Sequence, residues 1–150
     1  MSLKTVLDYR RHVVEQARVD LAGVTQELDA RLDVVRALER ELEKLLEDIA
    51  RRERQGIPAG EGLALYRFAE SLATNLAAAR REAESWLVRK EQQETVLREA
   101  ARDCRVVEKL DAQRAKEQEQ RDEHSAQQVN DEAGIRRWRD AAKAVTRDDS

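Results

Sequence analysis

A seven-residue ladder constrains this chain more than any other feature: Leu7, Val14, Leu21, Leu28, Val35, Leu42 and Ile49 are all aliphatic, without a miss. A second ladder three residues on, Ala17, Val24, Leu38 and Leu45, completes the a/d seam of a coiled coil. In such a seam each helix buries one stripe against a partner and solvates the rest. The second ladder is broken at Arg10, Arg31 and Arg52, and Leu32 can cover the gap at Arg31. At 1.5 Å rise per residue, a helix from about Lys4 to Arg54 is roughly 75 Å long. A rod of that length needs a partner.

The chain carries its own. The helical pattern stops at Gln55-Gly56-Ile57-Pro58-Ala59-Gly60-Glu61-Gly62, which holds the only proline and three of the five glycines, the residues that end helices and turn chains. From Leu63 it resumes through Phe68 or Ala69, Leu72, Leu76, Ala79, Ala83, Trp86 or Leu87, Leu97, Ala101, Cys104 and Val107. A turn centred near residue 59 pairs positions whose numbers sum to about 118. The partners of Ile49, Leu42, Val35, Leu21 and Val14 then fall near Ala69, Leu76, Ala83, Leu97 and Cys104, all apolar. Leu28 meets Lys90 inside the polar stretch from Arg89 to Thr95, so the seam is weakest at its middle. An insertion of three or four residues there would shift the register.

The expected fold is therefore all-α: a long antiparallel two-helix coiled-coil hairpin with a longer second helix. Its parts are helix one over about 4–54, the turn at 55–62 and helix two over about 63–145, within one domain spanning 1–150. Aromatics at 3% and charged residues at 39% suit two thin helices rather than a thick globular core. Beyond about Gln113 the second helix overruns the first and is polar to Gln128, a segment marginal as a lone helix in water. Val129, Ala133, Ile135, Trp138 and Ala142 form a sparse apolar set after it, and Thr146 to Ser150 reads as a frayed tail.

Chemistry is hard to find in this pattern. Gly60-Glu61-Gly62 lacks the Lys-Ser/Thr ending of a phosphate-binding loop. His12 and His124 are far apart in sequence and read as exposed helix residues, and Cys104 reads as a small buried seam residue. No catalytic residue, metal site or cofactor is expected. A net charge of -3 and no basic patch with interleaved aromatics argue against nucleic acid. With no apolar run of membrane-spanning length and no apolar secretion-signal core, a cytoplasmic protein is expected.

Three departures from a plain coiled coil point to binding. Tyr9-Arg10-Arg11 lies near the start, with Arg10 at a position that should be apolar; a solvated helix end is the alternative. Phe68 with Leu72 and Leu76 is a larger apolar cluster than two narrow helices need, unless it is core. Ile135 and Trp138 stand among Arg136, Arg137 and Arg139, an arrangement common at interfaces, with an unstructured tail as the alternative.

The opening Leu3-Lys4-Thr5-Val6-Leu7-Asp8-Tyr9-Arg10-Arg11, followed by Glu15 and Leu21-Ala22, resembles the start of the FliJ family of flagellar export proteins. Val106-Val107-Glu108-Lys109-Leu110, the charged run from Arg114 to Arg121, and Asn130-Asp131-Glu132-Ala133 resemble that family's end. The resemblance implies a non-enzymatic stalk of the type III export ATPase, similar to the YscO-type proteins of virulence secretion. Such a stalk sets the end bearing the chain termini into a hexameric ATPase, promoting its assembly and activity, while the other end meets the membrane export gate protein. It implies that Tyr9, Arg10, Arg11, Arg105, Lys109 and Arg114 face the ATPase. Phe68, Leu72, Leu76 and Ala79 would face the gate, and export chaperones are further partners. Such a stalk is expected to be a monomer when free and peripherally associated with the inner-membrane apparatus. The alternative from another class is a structural or adaptor coiled coil, homodimeric through its polar overhangs.

Overall fold

A computed structural model of the chain describes the backbone of residues 2–148 and the side chains of 2–146. Two helices account for it: α1 is Leu3–Gln55, 53 residues, and α2 is Ala59–Asp148, 90 residues. They pack against each other as an antiparallel hairpin, with no strand among the described residues. Both are rich in Leu, Ala, Glu and Arg, the strongest helix formers. The tail read as frayed is helical through Asp148, with the Thr146 hydroxyl donating to the Ala142 and Lys143 carbonyls. Asp149 and Ser150 lie outside the described residues.

Local chemistry sets the helix ends. Ser2 caps α1, accepting the Thr5 N–H on its Oγ at 3.2 Å while its carbonyl takes the Val6 N–H. At the other end Gly56 has φ 86° and donates to the Glu53 carbonyl, the left-handed cap that glycine adopts without strain. Arg52 and Arg54 stand in the last turn of α1, and Glu61 in the first turn of α2, each favourable to its helix dipole. The Pro58 carbonyl accepts the Gly62 N–H at 3.0 Å and so opens α2.

The reversal is therefore only Gly56-Ile57-Pro58, shorter than the expected 55–62. Gly60 and Gly62 are helical. Composition alone marks them as turn residues, but only Gly56 needs a positive φ. This difference has a measurable consequence. Gly56→Ala should cost about 1–2 kcal/mol for forcing a side chain into the left-handed region. Gly62→Ala, with open space around its added carbon, should gain roughly 0.5–1 kcal/mol from helix propensity. Thermal unfolding followed by circular dichroism reads both signs.

By internal contacts the chain divides into two units. In the unit Tyr9–Asp103 the buried residues are Val14, Ala17, Leu28, Val35 and Ile49 from α1, with Ala69, Leu72, Leu76, Ala83 and Ala100 from α2. Val35, Leu76 and Ala83 form a cluster over which Leu32, Leu38, Leu42 and Ala79 pack. Burial of each large aliphatic side chain contributes roughly 1.5–3 kcal/mol. In the other unit, made of residues up to Asp8 and those from Cys104 onward, Leu7 and Cys104 are buried and Val107 is half-buried. From Ala112 to Thr146 every side chain is exposed except that of Ala133, which is half-buried.

Every member of both aliphatic ladders is buried or half-buried. The pairing register drifts, however. Near the turn Tyr66 with Glu53 and Arg80 with Glu39 sum to about 119, close to the expected value. Farther along, Arg31 with Glu82, Arg10 with Asp103 and the Gln93 amide on the Ala17 carbonyl give about 113, 113 and 110. All three are displaced in the sense of a four-residue stutter. Such a shift sets buried Ala100 opposite Val14 rather than exposed Arg18, which explains why Ala100 is more deeply buried than the expected Ala101.

Candidate interaction surfaces

Around the start of α1, Tyr9 and Arg11 are exposed and Arg10 is half-buried. The Arg10 guanidinium lies 6.0 Å from the Tyr9 ring centre and 3.8 Å from the Asp103 carboxylate. A long aliphatic stem lets an arginine occupy a seam position while its head stays in water. Both partners of this ion pair are substantially exposed, so the pair contributes about 0–1 kcal/mol and leaves the arginine available to a stronger partner.

In the other unit Arg105, Lys109 and Arg114 are exposed on α2. Arg105 and Lys109, four residues apart, share a face. Arg114, nine residues from Arg105, stands on the opposite side of a helix with 3.6 residues per turn. Cations on opposite sides of one helix suit a partner that surrounds it better than one that docks on a flat face.

The apolar quartet near the turn divides by burial. Leu72 and Leu76 are 6% and 5% exposed and belong to the hairpin's own seam, and Ala79 packs on the Val35 cluster. Phe68 is 51% exposed, with Leu63 and Tyr66 also open to solvent. Of the four residues read as a partner surface, Phe68 alone presents its side chain outward. The choice between Phe68 and Ala69 for the seam falls to Ala69 for the same reason.

Tyr66 donates its hydroxyl proton to the Glu53 carboxylate across the turn. That hydrogen bond, with smaller contributions from desolvation and from the Glu53 charge, raises the phenol above its ordinary value of 10.0. Because the folded value is raised, this contribution to stability is present below about pH 10 and lost as pH climbs through the raised value. In a Tyr9→Phe background, Glu53→Gln should move the tyrosinate absorbance titration to lower pH.

The sequence did not reveal how Arg31 is accommodated at its break in the ladder. Arg31 donates to Glu82 at 2.9 Å and pairs with Glu27 at 3.4 Å. Its guanidinium lies 5.7 Å from the Trp86 ring, which Arg89 covers at 4.3 Å. A polar residue in a hydrophobic seam, matched by a specific partner, fixes register at some cost in stability. The visible signal was the pairing sum, which sets Arg31 opposite Leu87, next to Trp86.

The described residues hold no group of three or more His, Cys, Asp and Glu able to hold a metal ion, and His12 and His124 are exposed. None of their helices is long and apolar enough to cross a membrane. A family model described as Flagellar FliJ protein matches residues 1–143. The chain belongs to the FliJ family. Neither a curated protein nor a solved structure matches it. Membership of the FliJ family makes the chain a component of the flagellar type III protein export apparatus. The two-helix coiled coil with a longer second helix agrees with the resemblance carried by the Leu3 to Arg11 segment.

Proposed function

We propose that the chain is the non-enzymatic central stalk of the flagellar export ATPase, promoting assembly and turnover of the hexamer and coupling it to the membrane export gate. The observation that carries this reading is the FliJ family match over nearly the whole chain. Physical support comes from the cations. Arg11, Arg105, Lys109 and Arg114 are exposed and Arg10 is half-buried, with exposed Tyr9 beside it. Guanidinium groups pair bidentately with the carboxylates of an acidic pore. Phe68, exposed near the turn, is the proposed contact to the gate. Leu72, Leu76 and Ala79 support it from beneath by fixing the helix that carries it. The stalk acts in the cytoplasm, at the periphery of the inner-membrane export apparatus, with export chaperones as further partners.

Mixing the full chain with the export ATPase of the same organism tests this directly. Turnover and the hexamer fraction should both rise with added chain. A rate and a ring population unchanged at saturating chain contradict the proposal. Light scattering across a hundredfold concentration range separates the adaptor reading, which requires a homodimer.

A further inference from the structure

The last part of α2 carries a second seam that none of the described residues covers. Ile135, Trp138, Ala142 and Val145 follow the i, i+3, i+7, i+10 spacing of two a/d heptad repeats, and all four are exposed. Trp138 is 71% exposed, and Ile135 and Val145 are also more than half exposed. At 3.6 residues per turn these four fall within about a quarter of the helix circumference. That is the narrow stripe of a coiled-coil seam, rather than the broad apolar face a helix needs to lie in a lipid surface.

The two flanks of the stripe differ. Arg136, Arg139 and Lys143 line one side, with Glu132 one turn before Arg136 on the same flank and Asp140 behind them. Among the described residues these three cations form no ion pair, whereas the arginines of α1 at 18, 36, 51 and 52 each hold a carboxylate within one helical turn. Gly134 and Ala141 line the other side. Beside Gly134 a shallow concavity bounded by Asn130, Asp131, Ile135 and Trp138 leaves room for an incoming side chain, since even a carbon added to Gly134 meets nothing within 4 Å.

We propose that residues 134–146 are a docking seam for an acidic amphipathic helix of another protein. The partner's aliphatic side chains would enter between Ile135, Trp138, Ala142 and Val145, and its carboxylates would face Arg136, Arg139 and Lys143. The basic flank chooses the occupant. A second copy of this chain would set Arg139 near its own counterpart in an antiparallel pairing, a like-charge contact that disfavours it. An acidic helix gains opposite charges along one side and a close approach over Gly134 and Ala141 on the other. The exposed indole is the anchor, as large aromatic side chains are at helix interfaces. The seam shares no residue with the surfaces assigned to the ATPase and the gate, and the peptide test contains no ATPase, so its failure and that of the stalk reading are distinguishable.

The test uses the full chain and two labelled 21-residue peptides with identical Leu-rich a/d positions, one with Glu and one with Lys at its flanking positions. Anisotropy should show the Glu peptide binding and the Lys peptide at least about 10-fold weaker. Indole emission, read in a Trp86→Phe background, should shift to the blue on binding. Trp138→Ala should weaken the Glu peptide by about 10-fold or more, the range of an interface anchor. Arg136→Gln with Arg139→Gln and Lys143→Gln should weaken it and flatten its salt dependence. Equal binding of the two peptides, or Trp138→Ala without effect, overturns the proposal. So does a blue shift produced by dilution-sensitive self-association or by phosphatidylglycerol vesicles in place of the Glu peptide.

Discussion

Replacing Leu76 by alanine should cost about 2–4 kcal/mol of stability, the range for a buried leucine whose cavity closes only partly. Leu76 is a member of the Val35 cluster, and Leu32, Leu38, Leu42 and Ala79 pack against that cluster. Phe68→Ala, by contrast, removes an exposed ring and should change stability by under about 1 kcal/mol. The two variants separate what periodicity alone joins. Urea unfolding monitored by circular dichroism measures both, and pull-down of the export gate protein measures the second consequence. Leu76→Ala should lower the urea midpoint with little loss of gate binding at low temperature, and Phe68→Ala should do the reverse. Equal midpoints for the two variants would mean that the seam is not where burial sets it.

Charge reversal at the other proposed surface should have the larger functional effect. Lys109→Glu combined with Arg114→Glu exchanges two exposed cations on different sides of α2 for anions. Stimulation of the export ATPase should fall by about 10-fold or more, because each reversal replaces the proposed attraction to the ATPase's carboxylates with a repulsion. Surface substitutions of this kind change folding stability by only about 0.5 kcal/mol, so the melting curve should be nearly unmoved. Raising the salt concentration should weaken the wild-type stimulation in the same direction.

Much of this fold was legible because one physical rule governs its whole length. A coiled coil writes its buried face into the sequence every seven residues, and Leu7 to Ile49 keep that register from one end of α1 to the other. Sequence periodicity is weaker where neighbours are both apolar. It left Phe68 and Ala69 as alternatives and set Ala101 on the seam where Ala100 is the more deeply buried, because adjacent residues differ by only about 100° around a helix. The turn was read too long for a different reason. Glycine is permitted in the left-handed region but not confined to it, so Gly56, Gly60 and Gly62 look alike until their backbone angles are known.

The candidate surfaces were legible only in kind. Cations near the N-terminus and an aromatic near the turn stand out as residue types, yet burial decides which side chains reach solvent. Leu72 and Leu76 match the spacing of Phe68 and still belong to the core. The Arg31, Glu82 and Trp86 group was beyond a pattern of apolar positions, because its stabilisation comes from charge and ring geometry between helices. It also accounts for an arginine that breaks the ladder without breaking the helix.

Site-specific photocrosslinking measures the proposed orientation of the stalk. A photoreactive amino acid is introduced at Lys109 in one variant and at Phe68 in another, and each full chain is irradiated with the export ATPase. A crosslink to the ATPase is expected from position 109 and none from position 68. A crosslink from position 68, or none from position 109 while the chain still stimulates turnover, would contradict it.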